Sequence, residues 1–295
     1  MKELSGTVVH VDKSREIGKY ADECRHHNGV LRYAIGWTRS VDLGYAGSCL
    51  AQYQAHWCRE ADMLLVRTVS YVAATLDMVE YHIVSSRELR RKEIDAVAEA
   101  DSSHAGHKDC RGQSFINVSL VGRFTKITPH SASKKSSSAT LSSAEEELRG
   151  AAKVTVSLIE VVQAYNVLML PVEEQVKPQL RTNQLAQLAP LASEAKLSED
   201  DVLDFENALR QEILKLDASA AIGKIKRGHA ELTRHGKLRT AFLTEYWGAP
   251  NRRVEHSPGK QFLPDIGTKA LAVFRFKLLM RLSNQIQEKR TPIIY

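Results

Sequence analysis

The chain has 295 residues, 43% hydrophobic and 26% charged, with a net charge of +6. This balance excludes wholesale disorder and supplies enough apolar material for one large core or two ordinary ones. Aromatic residues, at 6%, are too sparse to favour a stacking platform for single strands. The charge is uneven: residues 221–295 carry 15 Lys and Arg against 5 Asp and Glu, while residues 1–220 carry 26 against 30. A basic end of this kind expects an anionic partner.

The first residues lack the apolar core of a signal peptide, and no run of about 18 apolar residues occurs. The chain therefore reads as a soluble protein of the reducing cytoplasm, with no membrane partner. Its four cysteines are expected as thiols or metal ligands, not disulfides.

Residues 7–11 make a short strand candidate, followed by a helix over 13–27. Leu65, Val69, Val72, Leu76, Val79 and Ile83 recur at steps of four and three, the stripe of one long helix over 62–84. Ser85 and Glu88 form a capping box that opens a second, charged helix reaching Ala100. Between 114 and 128, Ile116, Val118, Leu120 and Phe124 share one parity and Asn117 and Ser119 the other, so this is a strand, folded back near Gly122 and paired with residues 6–12. The serine-rich run 131–143 has almost nothing to bury and reads as a solvated linker.

Beyond it the spacing is helical. Ser143 and Glu146 make a capping box, and Val154, Leu158, Val161, Val162, Tyr165, Leu168 and Met169 keep helical steps until Pro171. Residues 172–195, with their prolines, read as an extended crossing with short helical pieces. Ser198 caps a further helix with Val202, Phe205, Leu209, Ile213 and Leu216 on its apolar face. A last helix spans about 268–287. The expected fold is mostly α: an irregular helical bundle in two parts, 1–130 and 144–295, joined by 131–143, with a small β element from about 6–12 and 114–128.

The basic end concentrates in Lys224, Lys226, Arg227, Arg234, Lys237 and Arg239, then in Arg252 and Arg253, with Tyr246 and Trp247 between them. Clustered cations displace counterions from a polyanion, and neighbouring rings stack on bases or clamp arginines. These ten residues are the candidate nucleic-acid contacts. A weaker constellation, Cys24, His27, His107 and Cys110, has the short pair spacings from which a loop supplies two tetrahedral zinc ligands. It matches no established finger pattern, so no cofactor is expected beyond that zinc candidate.

No nucleophile elbow, phosphate-binding Gly-Lys-Ser/Thr loop, dinucleotide fingerprint or His-Glu-x-x-His occurs. Two Ser-x-x-Lys matches, at Ser131 and Ser257, lie in polar segments where the lysine stays charged. The acid runs Asp200–Asp201 and Glu145–Glu147 read as helix starts, where the helix dipole favours negative charge. Asp77, Glu80, His82 and Arg67 form a polar set beside the long apolar stripe. On these grounds the chain is expected to be a non-enzymatic assembly protein. Its concrete form is a nucleocapsid-like or internal capsid subunit, a homo-oligomer or part of a larger assembly, contacting a nucleic acid taken as RNA although nothing in the sequence distinguishes RNA from DNA. The alternative is a clamp or adaptor whose basic face docks on an acidic protein surface, and an enzyme without local signature ranks lowest.

Overall fold

A computed structural model describes residues 16–37, 39–105, 110–169, 209–228, 234–259 and 262–287. Three helices, α1 (Cys24–Trp37), α2 (Ser40–Gln52) and α3 (Arg59–Ala74), precede a short strand β1 (Met78–Glu80) and helix α4 (Ser86–Arg91). Three antiparallel strands follow: β2 (Asp95–Ser103), β3 (Gln113–Val121) and β4 (Lys126–Lys135). The long helix α5 (Ser143–Met169) leads on to β5 (Gln211–Leu216), α6 (Ser219–Arg227), α7 (Arg234–Trp247) and β6 (Arg252–His256). One turn, α8 (Asp265–Thr268), then α9 (Val273–Leu282) and β7 (Gln285–Gln287), close the described chain. Strands β4-β3-β2-β5-β6 form one mixed sheet in that order, with β5 parallel to both β2 and β6. Strands β1 and β7 pair separately.

The expected helical bundle is therefore corrected to an α+β fold built on a five-stranded mixed sheet. Each missed strand has a physical reason. β2 reads Asp-Ala-Val-Ala-Glu-Ala-Asp-Ser-Ser, small and acidic residues that favour helix locally. In the fold, Ala96, Ala98 and Ala100 are wholly buried, and small side chains let α5 approach the sheet closely. Tertiary packing overrides propensity here. The expected charged helix stops at Arg91, where Lys92 turns left-handed at φ 54°, and gives way to β2. In β5, Ile213 and Leu216 are three apart and fit a helical stripe, but they lie in a strand. The rest of that expected helix, 198–208, and the expected crossing over 172–195 are outside the described residues.

Residues 131–135 of the serine-rich run are the outer half of β4, hydrogen-bonded to β3. β4 is an edge strand, where few apolar side chains are needed, and Pro129 is tolerated beside an irregularity in its pairing with β3. The parity reading of β3 identifies its core side for Ile116, Val118 and Leu120, which pack on the α5 side, but Phe124 lies beyond the strand and is exposed. The described partners of β3 are β2 and β4; residues 6–12 lie outside the described chain. The stripe assigned to one helix over 62–84 is divided among α3, a turn, β1 and an isolated bridge from Ile83 to Lys126.

Layers follow from the period of two. Ala96, Ala98, Ala100, Val118, Leu120, Leu214 and Leu216 face α5, α6 and α7, meeting Leu148, Ala151, Val154, Leu158, Leu243 and Trp247. The opposite face presents Phe115 to Val41 of α2 and to Leu263 and Ile266 around α8. A separate cluster, with Leu31, Leu50, Trp57 and Leu65, holds α1, α2 and α3 together. Among the described residues no helix is long and apolar enough to cross a membrane.

Candidate metal centre

The parallel pairing of β2 with β5 places Glu99 opposite Lys215. Two residues further along each strand, Asp101 and Asp217 emerge side by side at the carboxyl end of the sheet. A third carboxylate arrives from α5. That helix starts one residue earlier than its sequence box implied: Ser142 Oγ accepts the Glu145 N–H at 3.2 Å, and Glu145 Oε2 accepts the Leu141 N–H at 3.1 Å. The three consecutive glutamates therefore have different partners. Glu145 serves the cap. Glu146 is fully buried, accepts from Ser136 Oγ and Thr140 Oγ1, and pairs with Arg149 at 3.3 Å. Glu147 points to the sheet.

The approach that seats Glu147 depends on Gly150, where an added Cβ would lie 2.5 Å from Ser102 Oγ. One ligand oxygen from each of Asp101, Glu147 and Asp217 falls within 4.8 Å of the others. Asp101 and Glu147 are buried, Asp217 partly so. Glu147 Oε2 is buried without a hydrogen-bond partner. A fourth carboxylate, Asp265 of α8, stands beside them, held by Arg275 and Lys269. α8 lies close enough to β3 that a Cβ on Gly267 would overlap the Phe115 ring at 1.8 Å. Thr268 Oγ1 donates to Asp101 Oδ2, and Lys269 Nζ is 3.7 Å from the same oxygen.

The electrostatics follow from this crowding. Glu147 is pushed up to about 9, first by burial and then by the charges of Asp101 and Asp217. Asp101 and Asp217 are also raised, again chiefly by burial, with Lys269 opposing. Like carboxylates out of water cannot all ionise unless a cation joins them. An all-oxygen donor set of this kind fits a hard divalent ion such as Mg²⁺ or Mn²⁺ and not the thiolate and imidazole sites typical of zinc.

The raised Glu147 gives a signed expectation for the metal-free protein. The native chain keeps a proton that the unfolded chain releases near the ordinary value of 4.5. Its stability must therefore fall as pH rises from there to about 9 and level off beyond. Urea midpoints measured in EDTA should show this fall for wild type, and Glu147→Gln should flatten that part of the curve. A wild-type profile matching that of Glu147→Gln would contradict the assigned protonation.

The residues singled out from sequence are distributed differently. Trp247 is buried against α5 and donates Nε1–H to Thr155 Oγ1 at 3.0 Å. Tyr246 donates to Glu212 Oε2 at 2.5 Å and lies under the Arg252 guanidinium, 3.9 Å from its ring centroid. Arg252 also pairs with buried Glu212 at 3.3 Å, and Arg253 pairs with Glu255 at 2.8 Å. Arg252 is thus a structural cation. Reversing it to Glu would set two carboxylates together, and the variant is expected to lose about 3–5 kcal/mol by denaturant titration, the typical cost of breaking a buried pair.

Lys226, Arg227, Arg234 and Lys237 are exposed on α6 and α7, Lys224 half-buried. Arg239 turns inward instead. With His235, Ser138, Glu145 and Arg149 it lines a cleft of about 190 Å³, and its Nη1 is buried without a hydrogen-bond partner. Lys153, one turn beyond Arg149, is held below its ordinary value, first by burial and then, against Glu146, by Arg149, Lys134 and Arg239.

Of the zinc candidates, Cys24 is buried in the α1–α3 cluster, His27 pairs with Glu23 at 3.1 Å, Cys110 is exposed, and His107 is outside the described residues. Asp101, Glu147 and Asp217 form the described group with metal-ligand proximity, and it contains none of these. Glu80 lies on β1, near Gln285 Nε2 at 3.4 Å, while His82 is exposed. Ser131 of the first Ser-x-x-Lys match shares a hydrogen bond with Ser40.

Asp101, Asp217 and Asp265 escaped the sequence reading, and Glu147 was assigned to a helix start. The available signal was an acid near the end of a strand and followed by small residues: Asp101-Ser102-Ser103 and Asp217-Ala218-Ser219.

No family model matches the chain, and no curated protein matches it by sequence. One solved structure with similarity is the N-terminal RNase H domain of Rv2228c from Mycobacterium tuberculosis, determined as a fusion with maltose-binding protein. It covers 64% of this chain and 99% of its own, with 10% identity and a TM-score of 0.31. A TM-score that low leaves the functional reading to the side chains themselves.

Proposed function

We propose that the chain is a divalent-metal-dependent hydrolase of nucleic-acid phosphodiesters. The observation that carries this reading is the convergence of Asp101, Glu147 and Asp217 within 4.8 Å, with a buried Glu147 oxygen lacking a hydrogen-bond partner. When bound there, a divalent ion polarises a phosphoryl oxygen and acidifies a water. Asp101, Glu147 and Asp217 would hold it, and Thr268 and Lys269 fix the Asp101 carboxylate. In the reaction one phosphodiester P–O bond breaks and a P–O bond to a water oxygen forms. The water's protons go to the leaving oxygen and to solvent, so neither oxidant nor reductant is required.

The polyanion expected from the basic end supports the same substrate class. Arg149 and Lys153 share α5 with Glu147, the farther one six residues on, roughly 9 Å along the axis. Arg239 and Lys134 reinforce them from α7 and β4. The capsid and adaptor roles expected from charge have no comparable constellation behind them among the described residues.

The test is cleavage of labelled RNA, DNA and RNA–DNA hybrid with Mg²⁺ or Mn²⁺. Hydrolysis of at least one substrate, abolished by EDTA, is the expected result; no cleavage of any with either ion would sink the reading. Binding is expected to weaken with salt, and Arg239→Ala should lower the log–log salt slope by about one. A slope unchanged by that substitution would remove Arg239 from the contact surface.

A further inference from the structure

Lys269 carries a fixed organic cation into the carboxylate cluster. It stands one helical turn beyond Asp265, with which it pairs, and 3.7 Å from Asp101 Oδ2. Its charge also acts on Asp217 and Glu147. Arg275 holds the other oxygen of Asp265 and donates to Gly259 O at 2.5 Å.

We propose that the Lys269 ammonium takes the place of a second divalent ion, so that the substrate-free protein binds one ion, on Asp101, Glu147 and Asp217. The proposal rests on the metal reading above. Centres with two ions keep them about 3.5–4 Å apart and clamp both sides of the phosphate. A second ion here needs Asp101 as a shared ligand and Asp265 as a further one. Asp101 Oδ2 already accepts from Thr268 and faces Lys269, while Asp265 is taken up by Lys269 and Arg275.

Charge balance points the same way. One dication with Lys269 and Arg275 neutralises Asp101, Glu147, Asp217 and Asp265 when all are ionised. A second dication would leave an excess of two positive charges in a site whose burial weakens screening. Lys269 thus contributes the positive charge that a second ion supplies elsewhere, and supplies it before substrate arrives.

The test is titration of the substrate-free protein with Mn²⁺, followed by calorimetry and by electron paramagnetic resonance, which distinguishes an isolated ion from a coupled pair. Wild type is expected to take up one equivalent, Lys269→Met two as a coupled pair, and Lys269→Arg one. Two equivalents on wild type overturn the proposal, as does a single equivalent on a folded Lys269→Met. Should Lys269→Met fail to fold, the wild-type and Lys269→Arg stoichiometries decide the matter. No uptake by any of the three would fell the metal reading itself, a different result from a wrong count.

Discussion

Asp101→Asn is expected to abolish hydrolysis while raising the melting temperature of the metal-free protein. The two effects have opposite signs because one group does two things. In the proposed centre, the Asp101 carboxylate would be one of the three ligands of the cation. Losing a preorganised charged group at a reacting centre costs on the order of 10²–10³ in rate, and more when a metal leaves with it. As a buried anion it is a burden: its proton affinity is raised by burial and by the neighbouring Asp217 and Asp265 despite Lys269 and Thr268. Neutralising it removes that burden, while the amide oxygen still accepts from Thr268. A gain of about 1 kcal/mol corresponds to roughly 2–4 °C for a chain of a few hundred residues. Differential scanning in EDTA, beside cleavage assays in Mg²⁺, reads both quantities. Retained activity, or a clear fall in melting temperature, would mean that Asp101 is a structural acid.

Trp247→Ala is expected to cost about 3–5 kcal/mol, the usual range for emptying a large aromatic from a core. Trp247→Phe should cost less, with about 1 kcal/mol of its loss coming from the hydrogen bond to Thr155 Oγ1. The residue is 6% exposed and packs in the cluster between α5, α7 and the sheet. Its contribution therefore belongs to stability, and the Phe variant should bind nucleic acid as wild type does. Denaturant midpoints and binding isotherms together decide. Weakened binding with an unchanged midpoint would return Trp247 to the role of a stacking residue.

Both cases bear on how far the residues could be read without the fold. α5 was legible because its apolar side chains repeat over many turns, more than enough for a helical period to stand out. β3 was legible because polar and apolar residues alternate from Ile116 to Leu120, the apolar ones packing on α5. β2 was not, because the nearness of α5 selects alanines whose local preference is helical. β5 and β6 are too short for their period to be distinctive, and β4 is an edge that needs little apolar surface.

The candidate centre was hidden for a related reason. Its carboxylates are spread from position 101 to position 265, with no local spacing to betray them. Glu147 sat in an acidic run that helix electrostatics already explained. Arg252 and Tyr246 looked like phosphate contacts because clustering in sequence says nothing of a partner such as Glu212 on the neighbouring strand.

Local chemistry determined the long helix, the parity of β3, the caps at Ser85 and near Ser142, and the basic character of the C-terminal quarter. These depend on neighbours a few residues apart. Tertiary structure alone decided which acids meet, which cations are neutralised and which remain available. Those outcomes depend on strand pairing and on close approaches at Gly150 and Gly267. Burial and charge then convert three scattered carboxylates, with Asp265 beside them, into a candidate cation site.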